Sequence, residues 1–139
     1  MEWLADWMRQ RLADNSRRPV TLPLDEAPAV YLHGSIGYDT AITATGDIWV
    51  SEYELDEPAG SEPRWRLAGP KERIGYLVIA ARRDPEFARM LPSRPIDQPD
   101  CASCDGTGAW TLRAPDGTAM VPAPGMICHE CAGLGWGAG

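Results

Sequence analysis

All four cysteines of this 139-residue chain lie in its last third, as Cys101-Ala-Ser-Cys104 and Cys128-His-Glu-Cys131. Each pair continues in the same way, Cys104-Asp-Gly106-Thr-Gly108 and Cys131-Ala-Gly133-Leu-Gly135. The unit Cys-x-x-Cys-x-Gly-x-Gly therefore occurs twice, with 23 residues between Cys104 and Cys128. Two residues between cysteines let both sulfurs turn toward one point, which supplies half of a tetrahedral zinc site. A glycine two positions on lets the chain take a positive φ as it folds back beneath the sulfurs. Two such halves predict one zinc ion per chain with four thiolate ligands, and Gly106, Gly108, Gly133 and Gly135 shaping the turns around it.

Other chemistries fit this spacing less well. A disulfide framework needs an oxidising compartment, yet the start of the chain, Met1 to Asp6, has neither the basic residues nor the apolar run of a secretory signal. No stretch has the length of uncharged apolar residues that spans a bilayer. The expectation is a cytoplasmic protein without a membrane segment, where such thiols are more often metal ligands than cross-links. Haem attachment requires histidine directly after the second cysteine, where Asp105 and Ala132 stand. A thioredoxin-like pair needs a strand-then-helix setting, but glycines and turns follow both pairs. His129 inside the second pair reads as a surface residue, because four cysteines already fill the shell. A closed shell also leaves no position for a reactive water, so zinc hydrolysis is not expected.

The doubled unit resembles the cysteine-rich domain of the DnaJ chaperones, which carries four such repeats and binds two zinc ions by pairing them. Cys101, Cys104, Cys128 and Cys131 match the ligand positions, and Gly106, Gly108, Gly133 and Gly135 match the family glycines. The similarity covers residues 99–137 only, and the chain has no J-domain His-Pro-Asp tripeptide. The resemblance implies a zinc-stabilised hairpin module that contacts other proteins, without DnaJ-type co-chaperone activity. The resemblance does not extend to residues 1–94, whose family it leaves open.

The elements that must position this site follow from patterning. Trp3, Leu4, Trp7, Met8 and Leu12 recur at helical spacing and predict an amphipathic helix over residues 2–13, ended at Asp14-Asn15-Ser16. Residues 29–33 read as a strand. Residues 41–44 and 48–55 read as a hairpin across Thr45-Gly46-Asp47, with Trp49 and Ser51 on one face and Ile48 and Val50 on the other. Residues 65–67 suggest one more short strand. Pro70 opens a helix whose apolar stripe is Ile74, Leu77, Val78 and Ala81. Asp84-Pro85-Glu86 caps a shorter one holding Phe87, Met90 and Leu91. Residues 92–99 read as an extended linker. Within the module, Pro115-Asp116-Gly117 predicts a turn between β arms at residues 110–113 and 119–121. The expected architecture is α+β: a small antiparallel sheet with an N-terminal helix and one or two further helices over residues 1–94, then a zinc hairpin over residues 95–139.

Charge completes the picture. The net charge is −7, which argues against broad nucleic-acid binding. Residues 19–63 hold nine acids and no base, whereas residues 64–94 hold eight bases and three acids. Arg73, Arg82, Arg83 and Arg89 could form a basic surface for an acidic protein partner, and Trp3, Trp7, Trp110 and Trp136 are candidate contact residues. No catalytic set stands out. The expected role is a non-enzymatic adaptor or chaperone-like accessory of bacterial type, such as an inhibitor or immunity protein, with another protein as partner. The alternatives are a redox- or metal-responsive switch at the four cysteines, and a small enzyme using His33 with Tyr38 and Asp39.

Overall fold

The computed structural model describes residues 2–22, 29–32, 39–52, 64–110, 114–118 and 126–137. It is an α+β protein with an N-terminal helix, a five-stranded antiparallel sheet, further helical segments and a C-terminal cysteine cluster. The chain divides into two compact units, Met1–Gly69 and Pro70–Gly139. The division falls at Gly69, ahead of the boundary that the proline-rich stretch suggested.

In the first unit, helix α1 (Glu2–Ala13) buries Leu4, Trp7 and Met8. Asn15 stops it by taking a left-handed φ of 59°. The Asn15 N–H then reaches the Leu12 carbonyl at 3.4 Å and the Ser16 N–H reaches the Arg11 carbonyl at 3.0 Å, the hydrogen-bond pattern of a Schellman cap. The Asp14 carboxylate accepts a second backbone bond from Ser16 at 2.9 Å.

The sheet is a meander in sequence order: β1 (Pro19–Val20), β2 (Ala29–Leu32), β3 (Thr40–Thr43), β4 (Ile48–Glu52) and β5 (Arg64–Leu67). Register puts Val30, Ile42 and Ile48 in one cross-strand row, and Leu32, Thr40 and Val50 in the next. All six are fully buried, and Thr40 satisfies its hydroxyl by donating to the Leu32 carbonyl. The opposite face carries Ala29, Ala41, Trp49 and Trp65, packed with Val20 and Leu22. The parity expected of Trp49 and Ser51 against Ile48 and Val50 is therefore the observed one. The β3–β4 turn is where expected, with Gly46 at φ 88° and its N–H on the Thr43 carbonyl at 2.9 Å. Strand β1 was not anticipated. It has two residues and begins with proline, which only the edge of a sheet tolerates. The expected continuation of β4 to residue 55 lies outside the described residues.

In the second unit, helix α2 (Pro70–Arg83) begins with proline at its first position and ends with Arg82 and Arg83, cations suited to the helix C-terminus. Its buried residues are Gly75, Leu77, Val78 and Ala80. The expected stripe included Ile74 and Ala81, which are only half-buried. The face is turned because Gly75 and Val78, one helical turn apart, meet the second cysteine loop: a Cβ at Gly75 would lie 2.7 Å from Ile127 Cδ1. A 3₁₀ segment (Pro85–Met90) follows and buries Phe87. Its entry is held by the Phe87 N–H donating to the Asp84 carbonyl at 3.0 Å, and the Asp84 side chain makes no cap bond. Among the described residues, no helix is long and apolar enough to cross a membrane.

Candidate metal centre

The two cysteine loops are copies of each other in backbone as well as sequence. The residue after each second cysteine, Asp105 or Ala132, takes a left-handed φ of 54° or 53°, although neither is glycine. Gly106 and Gly133 follow at 81° and 85°, and Gly108 and Gly135 at 72° and 86°. The Gly106 N–H donates to the Cys101 carbonyl at 3.1 Å, and the Gly133 N–H to the Cys128 carbonyl at 3.0 Å. Gly108 and Gly135 each turn their N–H onto the sulfur four residues back, Cys104 or Cys131, at 3.3 Å. These donors favour the thiolate over the thiol.

The loops also interlock. The Cys101 N–H donates to the Gly135 carbonyl at 3.0 Å, and the Cys128 N–H to the Gly108 carbonyl at 2.9 Å. Backbone bridges pair Asp100 with Trp136 and Ala109 with Ile127. Contacts this close require glycine, because a Cβ at Gly108 would lie 2.4 Å from the Gly133 oxygen and one at Gly135 would lie 2.6 Å from the Gly106 oxygen. The result is a two-fold-like cage whose halves are 27 residues apart in sequence.

Inside it the four sulfurs converge, all within 4.8 Å of one another. Cys101 and Cys128 are 3.9 Å apart, and Cys104 and Cys131 are 3.8 Å apart. A tetrahedron of thiolates about 2.3 Å from a zinc ion has edges of about 3.8 Å, so the spacing fits the ion. A disulfide would need sulfurs about 2.05 Å apart, and all four cysteines are free. Each is at most 5% exposed, which closes the group to solvent.

Burial also sets the proton chemistry. It pushes the Cys131 thiol up to about 12 and raises Cys128. At Cys104 burial acts in the same direction, but the Gly108 N–H and the neighbouring sulfurs outweigh it and hold this thiol below its ordinary value. Four thiols so placed do not all ionise by themselves. A cation at their centre would supply the compensation.

The remaining expected site residues scatter. His129 is exposed and outside the sulfur group. Trp110 and Trp136 are half-buried beside the loops, Trp110 with its N–H on the Met126 carbonyl at 3.3 Å. The turn at residues 114–118 is formed, with the Ala114 N–H on the Thr118 carbonyl at 2.9 Å, while most of its expected arms lies outside the described residues. Arg82, Arg83 and Arg89 are exposed and Arg73 is half-buried. Trp3 is half-buried, and Trp7 is buried at 5% exposure, which leaves little of it for a contact surface. His33 and Tyr38 lie outside the described residues. Asp39 accepts the Tyr31 hydroxyl at 2.9 Å, and its backbone N–H donates to Ser51 Oγ at 3.0 Å. Sequence reasoning missed the role of Gly75 as the seat of Ile127. A glycine at mid-helix was the available signal, since it costs about 1 kcal/mol relative to alanine without a packing reason.

Compared with known protein families, curated proteins and solved structures, the chain gives no match. The fold and site define an α+β protein with a buried four-cysteine group able to hold a metal ion.

Proposed function

We propose that Cys101, Cys104, Cys128 and Cys131 hold one structural zinc ion, and that the protein is a non-enzymatic, cytoplasmic adaptor or chaperone-like accessory acting through contact with another protein. The observation that carries this reading is the match between the sulfur spacing and a tetrahedral thiolate shell. When bound, the ion supplies charge compensation and a cross-link at the base of the second unit. The residues do the rest: four buried sulfurs fill the shell, Gly108 and Gly135 orient two of them, and water is kept out. A shell closed in this way stabilises the fold without presenting a reactive position.

The resemblance of residues 99–137 to DnaJ cysteine-rich repeats supports a contact role, as do the exposed arginines in a chain of net charge −7. Cobalt(II) titration of metal-free full-length protein tests the site. One equivalent should give thiolate charge-transfer absorption with the intense visible bands of a tetrahedral ion. Weak octahedral bands, or saturation at another stoichiometry, would overturn the four-thiolate centre.

A further inference from the structure

The second unit carries an open groove of about 350 Å³ beside the second cysteine loop. Val78 of α2, Leu91 and Pro92 beyond the 3₁₀ segment, and Leu134 and Trp136 of the loop line it, and Arg82 is its one charged lining residue. Arg82 is exposed, and no hydrogen bond or ion pair engages it among the described residues. The groove thus offers an apolar slot with an exposed guanidinium at its edge. Its complement is an apolar side chain followed closely by a carboxylate.

The chain itself presents that complement. Ile96 is fully exposed, so its side chain projects into solvent. It stands at the tip of a tight turn, with the Gln98 N–H on the Pro95 carbonyl at 3.1 Å, and the exposed Asp97 follows it. The turn is built, not loose. Arg94 clamps its base by donating to the Gln98 carbonyl at 2.8 and 3.1 Å and to Asp100 Oδ1 at 2.9 Å. Gln98 Nε2 and Pro99 O are further tied to Gly137. Knob and groove also share a foundation, because Asp100 bridges to Trp136 and Leu91 and Pro92 lead directly into the turn.

We propose that this surface is a self-complementary interface in which Ile96 of each of two copies enters the groove of the other and Asp97 pairs with Arg82. A two-fold arrangement satisfies both grooves at once, since each copy gives one knob and receives one. Fixing the turn in advance removes much of the ordering cost of association. The contact is small, so the dimer belongs to the weak, transient class that buries less than about 1,200 Å². Leu134 and Trp136 line the groove only with the cysteine loops closed, so the interface rests on the metal-centre reading.

Sedimentation velocity of the metal-loaded full chain, from low to high micromolar, tests it. The weight-average mass should rise from one chain toward two. Ile96→Asp and Arg82→Glu should each weaken association by at least about tenfold, and Arg82→Asp combined with Asp97→Arg should recover it. All these positions are exposed, so metal content and circular dichroism should stay unchanged. A chain that remains monomeric overturns the proposal and leaves the groove to a different protein. A dimer indifferent to Ile96→Asp overturns it equally. Loss of metal in the parent protein would instead contradict the metal-centre reading.

Discussion

A side chain at Gly108 would place its Cβ 2.4 Å from the carbonyl oxygen of Gly133. The obstacle is backbone, which cannot swing aside, and Gly108 also sits at φ 72°. Gly108→Ala combines overpacking with left-handed strain and should destabilise by about 2–5 kcal/mol. Gly117 separates the two effects, because it has φ 87° but nothing within 4 Å of its virtual Cβ. Gly117→Ala should cost only about 1–2 kcal/mol. Urea unfolding of the metal-loaded variants checks the difference, and equal losses would argue against interlocked loops.

Gly75 should behave more mildly. The atom in the way there is Ile127 Cδ1, the end of a side chain that can change rotamer. Alanine at mid-helix gains about 1 kcal/mol over glycine, which offsets the adjustment, so Gly75→Ala should fall within about 1 kcal/mol of the parent. Gly75→Leu has no such escape and should lose about 1–3 kcal/mol. Thermal melts of the two variants report on the helix–loop contact.

Metal binding should release protons. In the metal-free protein burial pushes the Cys131 thiol up to about 12 and raises Cys128, so both should keep their protons at neutral pH. The metal-bound form needs thiolates, so each ion should displace at least these two protons. Apparent affinity should accordingly fall as pH is lowered. Calorimetry in buffers of different ionisation enthalpy counts the protons, and a count near zero would contradict burial of protonated thiols.

The Tyr31–Asp39 bond links neighbouring strands at 2.9 Å, with Arg18 stacked 4.2 Å from the Tyr31 ring centroid. Burial first, then the bond to Asp39, raises the Tyr31 phenol above its ordinary value. A raised folded value means the contribution is full below the unfolded value, about 10, and is lost as pH rises through the folded one. Tyr31→Phe should cost about 0.5–1.5 kcal/mol at neutral pH and remove a titration step above the ordinary tyrosine range. Denaturant melts and an absorbance titration check the two halves.

Much of this was legible in the sequence. Alternation separated Ile48 and Val50 from Trp49 and Ser51, and Thr45-Gly46-Asp47 marked the turn, because strand parity and turn chemistry are local. The cysteine spacing gave the four ligand candidates for the same reason. What was hidden is non-local. Nothing adjacent to Gly75 announces Ile127, and the bonds from Cys101 to Gly135 and from Cys128 to Gly108 join residues far apart in the chain. Positive φ at Asp105 and Ala132 was also invisible, since only tertiary constraint holds such residues there. The hidden contacts decide that α2 belongs to the same compact unit as the cysteines.

The most direct test of the central claim is zinc-edge X-ray absorption, with elemental analysis, on full-length protein purified under reducing conditions without added metal. One zinc per chain with four sulfur neighbours at about 2.3 Å is the expected result. Metal-free protein with two disulfides, or a shell containing nitrogen or oxygen, would contradict it.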